Sequence, residues 1–225
     1  MVGEEKKFLT IIVMTAIVKN ASMAYSEFTL SRLRESFSLN LEEPQNLFAH
    51  CLPIVASDFL KISIQENLSL AIAINTEKAR SELIIAPVLL EVRRKLNFRI
   101  GFFSGSEFNI DSAQGLTGYC DYILTATRDS YEVRSPVLTL VEAKNENIKA
   151  GLGQCGAEMV AAQQLNLRSD LHQPIYGCVT TGSEWKFLRL INRTLEINRR
   201  EYFINELPMI IGILLSAFDG IELKD

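Results

Sequence analysis

VLTLVEAKNENIKAGLGQCGAE, residues 137–158, joins an apolar segment to a helix-like segment across a charged boundary. The first five residues are apolar or β-branched, which predicts a buried strand. Glu142 and Lys144 then stand where core residues would continue, and alternate strand residues share a face, so both side chains point the same way. The pattern leaves two interpretations: the strand has reached solvent, or the two charges take part in chemistry.

A long helix and two strands are predicted upstream of this stretch. The helix covers residues 75–96, begins at a cap supplied by Asn75 or Thr76, and ends in a basic turn that its dipole favours. Pro87 lies inside it and is expected to kink it or to remove one backbone bond. Two segments bounded by turn-forming residues follow as strands, FRIGFFSG and LTGYCDYILTAT.

Downstream, PIYGCVTT and EWKFLRLI predict two further strands joined by Gly182-Ser183, and a last helix is predicted from about Arg199 to Phe218. The predicted helix between VLTLVEAK and PIYGCVTT carries small residues, which allow close packing on a sheet. The order is helix, three strands, helix, two strands, helix. This order indicates an α/β fold with a central mixed β-sheet flanked by helices.

The first third of the chain predicts a mostly helical extension without a chemical motif. Thr29 or Ser26 can cap a helix over LSRLRESF, and Pro44 is expected to begin a second short helix. We therefore divide the chain into an extension, residues 1–75, that packs on an α/β core with a C-terminal helix, residues 76–225, within one compact domain overall.

Composition restricts the function classes. The chain has 225 residues, 48% of them hydrophobic and 22% charged, which is typical of a globular domain. A formal net charge of −4 argues against a surface that attracts nucleic acid everywhere, but it allows a basic strip beside an acidic metal site. Four scattered cysteines and two histidines do not form a zinc motif, and they indicate a reducing compartment.

Two apolar runs raise the question of a membrane. The run Phe8–Val18 follows two lysines and imitates a signal peptide, but Glu4 and Glu5 spoil its basic start. This run and PMIIGILLSAF near the C-terminus are both too short to span a bilayer. We expect both to be buried helices or strands, and the protein to be cytoplasmic with no membrane partner.

The link TATRDSYEVRS suits a hairpin between two of the predicted strands. If its centre falls near Tyr131-Glu132, Asp121 lies opposite Glu142. The same register pairs Ile123 with Leu140 and Thr125 with Leu138. Two opposed carboxylates repel unless a positive charge lies between them, and a divalent cation meets this need better than Lys144.

Asp121, a hairpin, Glu142-Ala143-Lys144 and a helix carrying Gln154 together resemble the PD-(D/E)XK nuclease superfamily, which has the restriction endonuclease-like fold. Glu82 on the upstream helix fits the acid that this superfamily often carries there. The resemblance covers roughly residues 76–191. An ExK tripeptide alone is common, whereas the ordered set on helix, strand, strand and helix is much more specific.

The resemblance has one departure and several implications. Cys120, not proline, precedes Asp121. The resemblance implies a Mg²⁺- or Mn²⁺-dependent endonuclease that hydrolyses DNA phosphodiester bonds with a metal-activated water. The resemblance implies that Asp121, Glu142 and the carbonyl of Ala143 bind the metal, and that Lys144 orients the water or stabilises the charge of the transition state. It implies that Glu82 binds a second metal or steers the nucleophile. Gln154 is implied to form a hydrogen bond near Lys144.

Simpler interpretations stand beside these roles. Glu142 and Lys144 also fit an exposed ion pair at a strand end, and Glu82 fits an exposed partner of Lys78. Glu91 is the other acid of the helix, and a spacing of nine residues puts it on the opposite face from Glu82. Glu158 lies one turn beyond Gln154 on the same face, and Gln154 alone fits an ordinary residue near the start of its helix.

Three functional hypotheses follow. The first is the DNA nuclease, with a homodimer suggested by apolar terminal segments that need cover. The second is a catalytically silent module that keeps the nuclease fold for binding or assembly. The third is an ordinary α/β protein in which these acids are incidental; it requires that Glu82, Asp121, Glu142 and Lys144 do not share a pocket.

Overall fold

The structure, a computed structural model, describes residues 23–223, in which a mixed sheet of eight strands carries helices on both faces. The strands are β1 (Asn40–Glu42), β2 (Gly101–Glu107), β3 (Tyr119–Thr125), β4 (Val137–Ala143), β5 (Ile175–Thr180), β6 (Glu184–Ile191), β7 (Thr194–Ile197) and β8 (Tyr202–Phe203). The helices are α1 (Leu30–Phe37), α2 (Asp58–Ile74), α3 (Glu77–Arg80), α4 (Ala86–Lys95), α5 (Ile148–Leu167) and α6 (Leu207–Ser216). The element predicted over Phe8–Val18 lies outside the described residues.

The sheet order is β1-β7-β6-β5-β4-β3-β2, with β8 beside β6. Strands β2, β3 and β4 form an antiparallel meander, and β4 then pairs in parallel with β5. A parallel pair needs a crossover connection, which α5 supplies. The remaining pairs are antiparallel except at the edge, where β1 joins β7 in parallel. The predicted α/β class, a central mixed sheet flanked by helices, is confirmed.

Two apolar cores lie on the two faces of the sheet. Helices α2, α4 and α6 cover one face, and α5 with α1 covers the other. Strand β4 serves both, because Val141 and Ala143 join the first core while Leu140 joins the second. Glu142 alternates with Val141 and Ala143, and therefore lies on the α5 side of the sheet.

The helix predicted over residues 75–96 is present with an irregular centre. Thr76 caps α3 by accepting a hydrogen bond of 3.1 Å from the N–H of Ala79, whereas Asn75 ends α2 with φ at 52°. A π-helical turn, Ser81–Ile85, joins α3 to α4. Pro87 lies two residues after this turn and lacks the N–H that a regular α-helix would use there, which gives the irregularity its physical reason.

Several predicted boundaries are wrong. No helix begins at Pro44, since residues 43–57 contain turns and extended chain before α2 starts. The last helix begins at Leu207 and not near Arg199. The intervening segment instead supplies β8 and a 3-10 turn, Ile204–Glu206. Strands β1 and β7 were not predicted, because each has only three or four residues, too few to establish a strand pattern.

The first and last helices of the described range are both present as predicted, although the last begins at Leu207. Thr29 caps α1 by accepting a hydrogen bond of 3.2 Å from the N–H of Arg32. Helix α6 is largely buried, as expected for PMIIGILLSAF. Between residues 23 and 223, no helix is both long enough and apolar enough to cross a membrane.

Glu91 has a structural task on α4. Its side chain is 2% exposed, and its two carboxylate oxygens accept hydrogen bonds of 2.7 Å from the backbone N–H and the hydroxyl of Ser57. Ser57 in turn caps α2 through the N–H of Leu60. Arg94 and Lys95 lie within 3.6 and 3.7 Å of the carboxylate. Glu91 therefore fastens the start of α2 to α4, away from the candidate site.

We expect Glu91→Ala to lower the free energy of unfolding by about 1–3 kcal/mol, because it leaves the two donors of the partly buried Ser57 without their acceptor. Urea unfolding measures this change. Glu82→Ala on the same helical stretch is the matched control, since its solvent-exposed pair with Lys78 contributes little to stability. Equal losses in the two variants would contradict this role for Glu91.

Candidate functional site

The pairing of β3 with β4 brings Asp121 beside Glu142. The register joins Tyr122 to Val141 and Ile123 to Leu140, so the next pair along the ladder is Asp121 and Glu142. Asp121 Oδ2 accepts a hydrogen bond of 2.8 Å from the backbone N–H of Ala143. This bond fixes the Asp121 carboxylate against the end of β4.

The predicted hairpin register is correct near the site and wrong further away. Ile123 pairs with Leu140 as expected, whereas Thr125 pairs with Val137 and not with Leu138. A β-bulge after Leu124 shifts the register by one residue. Sequence spacing alone does not reveal such a shift.

Glu142 and Lys144 form a partly buried ion pair. The residue Glu142 is 1% exposed, and its Oε1 contacts Nζ of Lys144, whose side chain is 21% exposed. The backbone N–H of Lys144 donates to the carbonyl of Thr180 at 2.8 Å and so extends the pairing of β4 with β5. The interpretation of a strand end that runs out into solvent is therefore wrong.

Gly151, in the first turn of α5, makes room for the Lys144 side chain. A Cβ atom at this position would lie 2.7 Å from Val179 Cγ1 and 3.2 Å from Lys144 Cε. Only glycine lets the helix approach β5 and the stem of the lysine this closely. Small residues along α5 are apparent from the sequence, whereas the contact of Gly151 with the Lys144 stem is visible only in the structure.

Gln154 and Glu158 extend the cluster from α5. The Gln154 amide donates to Glu158 Oε1 at 3.1 Å, so its partner in the structure is Glu158 and not the predicted surroundings of Lys144. Glu158 is fully buried, and its carboxyl group lies within hydrogen-bonding reach of Glu142. The sequence analysis placed Glu158 one turn beyond Gln154 on the same helical face, as a further acid that could touch the site.

The acids of this cluster resist ionisation. Burial and the charge of Asp121 raise the pKa of Glu142 to about 8, although Lys144 acts in the opposite direction. Burial and the neighbouring Glu142 hold the pKa of Glu158 well above its usual range. Burial alone would lower the pKa of Lys144, but Glu142, Glu77 and Asp121 outweigh it and raise that pKa. The cluster thus has more carboxyl groups than cations to balance them.

The structure separates Glu82 from this cluster. Its carboxylate makes a 2.6 Å ion pair with Lys78, and its side chain is 60% exposed. Glu77, in the first turn of α3, interacts electrostatically with the cluster. Partial burial and the charge of Asp121 raise the pKa of Glu77, and the charge of Lys144 lowers it. Glu77 was not among the predicted site residues, because its relation to Lys144 and Asp121 depends on how the helix packs on the sheet.

A buried arginine holds one wall of the site. Arg80 Nη1 donates to the carbonyl of Thr181 at 2.9 Å and to the hydroxyl of Ser183 at 3.2 Å, while Nε and Nη2 donate to Asn75 Oδ1. The Asn75 amide donates to Glu146 Oε1 at 3.0 Å. The start of α3, the β5–β6 turn and the loop after β4 are therefore joined.

The donor set suits a hard divalent cation. Oε2 of Glu142 and Oε2 of Glu158 are both buried without a hydrogen-bond partner. Carboxylate oxygens and the Ala143 carbonyl are ligands of the kind that Mg²⁺ and Mn²⁺ accept. Within residues 23–223, no three His, Cys, Asp or Glu side chains are already arranged as a metal-binding group. Side chains of the cluster would therefore have to rearrange for a cation to enter.

A groove of about 610 Å³ lies beside the loop that joins β4 to α5. Its charged lining is Glu43, Glu146, Lys149, Glu184, Lys186, Arg199 and Glu201. Lys186 donates to Glu201 at 3.1 Å and Arg199 lies 3.6 Å from Glu43, so two of its cations are already paired. The groove therefore has little positive charge to spare for phosphates.

No protein-family model, no curated protein and no solved structure matches this chain. Inference about its function therefore depends on the geometry of the Asp121, Glu142 and Lys144 cluster.

The raised pKa of Glu142 predicts a pH-dependent stability. The folded chain holds this proton to about pH 8 and the unfolded chain only to about 4.5, so the free energy of unfolding should fall as pH rises between these values. Glu142→Gln removes the titrating group, so its free energy of unfolding should change less steeply with pH than that of the unmodified protein. Urea unfolding in EDTA at several pH values measures both.

The exposed residue Glu66 on α2 provides the control, because Glu66→Gln should keep the full slope. Some slope should remain in Glu142→Gln, since Glu158 acts in the same direction. Identical slopes in Glu142→Gln and the unmodified protein would show that Glu142 is ionised in the folded chain throughout this range.

Proposed function

We propose that the chain is a metal-dependent nuclease that hydrolyses DNA phosphodiester bonds. One observation carries the proposal: Asp121, Glu142 and Lys144 meet at adjacent strand ends, with the first turn of α5 packed on the lysine. A buried cluster of carboxyl groups with one lysine is the arrangement that activates water through a divalent cation.

The topology supports the same proposal. Helix α3–α4, the meander β2-β3-β4, the crossover helix α5 and the parallel strand β5 follow one another in the chain. This order is similar to the core of the restriction endonuclease-like fold, which the sequence resemblance implied. The PD-(D/E)XK assignment is therefore part of the proposal, together with its fold.

The proposed roles follow from the contacts. Asp121, Glu142 and the carbonyl of Ala143 would hold Mg²⁺ or Mn²⁺, which supplies a polarised phosphate and a water of lowered pKa. Lys144 lies against Glu142 at the solvent boundary, where its Nζ can orient the attacking water or stabilise negative charge on the phosphate. Gln154 acts indirectly, through its bond to Glu158.

Glu77 takes the position proposed for the helix acid in place of Glu82. Glu77 is exposed, as Glu82 is, but its charge acts on both Lys144 and Asp121, whereas Glu82 pairs with Lys78. Glu77 is therefore proposed to steer the nucleophile or to hold a second cation through water.

Lys144→Ala and Asp121→Ala are each expected to lower cleavage by at least about 100-fold, because each removes a charge that acts on the reacting phosphate or its cation. Gel assays with Mg²⁺ or Mn²⁺ and single-stranded, double-stranded and branched DNA, and with RNA, measure the loss. Lys78→Ala, which removes an exposed lysine, is the control and should cleave as the unmodified protein does. Failure of the unmodified protein to cleave any of these would defeat the proposal for those substrates.

A comparison of two neighbouring acids tests the reassignment on the helix. Glu77→Gln is expected to lower the cleavage rate about tenfold or more, while Glu82→Gln should change it less than twofold, because only Glu77 acts on the cluster. The same gel assay measures both rates. The reverse order of the two effects would restore the original assignment of Glu82.

A second candidate function is a catalytically silent module that keeps the fold for binding or assembly. The paired cations of the groove favour it, because they leave little attraction for a phosphate backbone. Calorimetric titration with Mn²⁺ separates the candidates: the nuclease must bind the ion at the Glu142 cluster, and binding must disappear in Asp121→Ala. A DNA rather than an RNA substrate, a homodimer and a cytoplasmic location remain predictions.

A further inference from the structure

Glu158 is the acid of the cluster to which the proposed mechanism gives no task. It lies in the middle of α5 and is fully buried, with its neighbours drawn from the core between the helix and the sheet. A buried carboxyl group costs free energy unless it finds a partner. Its retention inside the protein therefore calls for a specific partner.

Only one of the two carboxyl oxygens of Glu158 accepts a hydrogen bond from a donor group. Oε1 accepts the 3.1 Å hydrogen bond from Gln154, while Oε2 is buried and has no partner. Glu142 shows the same division, since Oε1 contacts Lys144 and Oε2 is buried without a partner. The two carboxyl groups lie within hydrogen-bonding reach of each other. A cation that replaced the proton between the two acids would gain one otherwise unpartnered oxygen from each.

We propose that Glu158 is a ligand of the divalent cation at this site, together with Glu142 and Asp121. The inference rests on the proposed function, because it concerns the same cation, and it goes beyond the resemblance, which assigned α5 only Gln154. Two adjacent carboxylates repel each other, and a hard cation of the Mg²⁺ and Mn²⁺ class balances their charge while accepting oxygen ligands.

Lys144 does not replace the cation in this arrangement. Its Nζ contacts Oε1 of Glu142, the oxygen that is already partnered. Gln154 then becomes a positioning residue, because its amide holds Oε1 of Glu158 and leaves Oε2 free for the cation. The Gln154–Glu158 pair is one helical turn long, so α5 fixes this orientation.

The test uses the full chain and Mn²⁺ as the probe. Isothermal titration calorimetry should show that Glu158→Gln weakens Mn²⁺ binding by about tenfold or more, because it keeps the shape of the side chain but removes an anionic ligand. Glu66→Gln removes an exposed acid from α2 on the opposite face of the sheet, and should bind as the unmodified protein does.

A second readout separates a ligand from a packing residue. In EDTA, Glu158→Gln should melt at the same temperature as the unmodified protein or higher, since it removes a carboxyl group that crowds Glu142. Added Mn²⁺ should then raise its melting temperature less than that of the unmodified protein. A structural role alone predicts the opposite pattern: a lower melting temperature in EDTA with unchanged Mn²⁺ affinity.

Unchanged Mn²⁺ affinity in folded Glu158→Gln overturns this inference and leaves the proposed function standing. An unmodified protein that binds no Mn²⁺ overturns both. Should Glu158→Gln not fold, Gln154→Met decides, because it keeps Glu158 and removes the amide that orients it. Weaker Mn²⁺ binding by Gln154→Met supports the inference, and unchanged binding overturns it.

Discussion

The burial of Glu142 is the constraint on which the site depends. A carboxyl group at the end of a central strand, with another acid paired beside it and a third below it on α5, cannot ionise without compensation. Lys144 supplies part of that compensation from two residues away, and the close approach of Gly151 to its stem limits where the lysine can go. The position of α5 on β4 and β5 is thus tied to the electrostatics of the strand end.

The central part of the fold could be predicted because its signals are local. Strands β3 to β6 and helix α5 have long apolar or small-residue patterns, and the Thr29 and Thr76 caps follow from side chains that accept backbone bonds. β1, β7 and β8 were missed because they have two to four residues each and owe their pairing to neighbouring strands.

The site was predictable to the extent that strand pairing determines it. Asp121, Glu142 and Lys144 are brought together because the hairpin register is correct at that end, where no bulge intervenes. Glu82 was chosen from a family pattern, and the sequence contains no information on which helix face turns to the sheet once a π-helical turn intervenes. Glu77 and Glu158 emerge only from three-dimensional contacts, since a charge on a helix has no sequence signal for its partner across the sheet.

The buried guanidinium of Arg80 has a consequence for motion at the site. It ties Asn75 to the β5–β6 turn with bonds of 2.9–3.2 Å. The end of α2, helix α3 and strands β5 and β6 are therefore held together as one unit. The loop after β4 is joined to that unit by the exposed bond of Asn75 to Glu146, which water can replace. Residues 145–147 are therefore held less firmly than the Arg80, Asn75 and β5–β6 unit beside them.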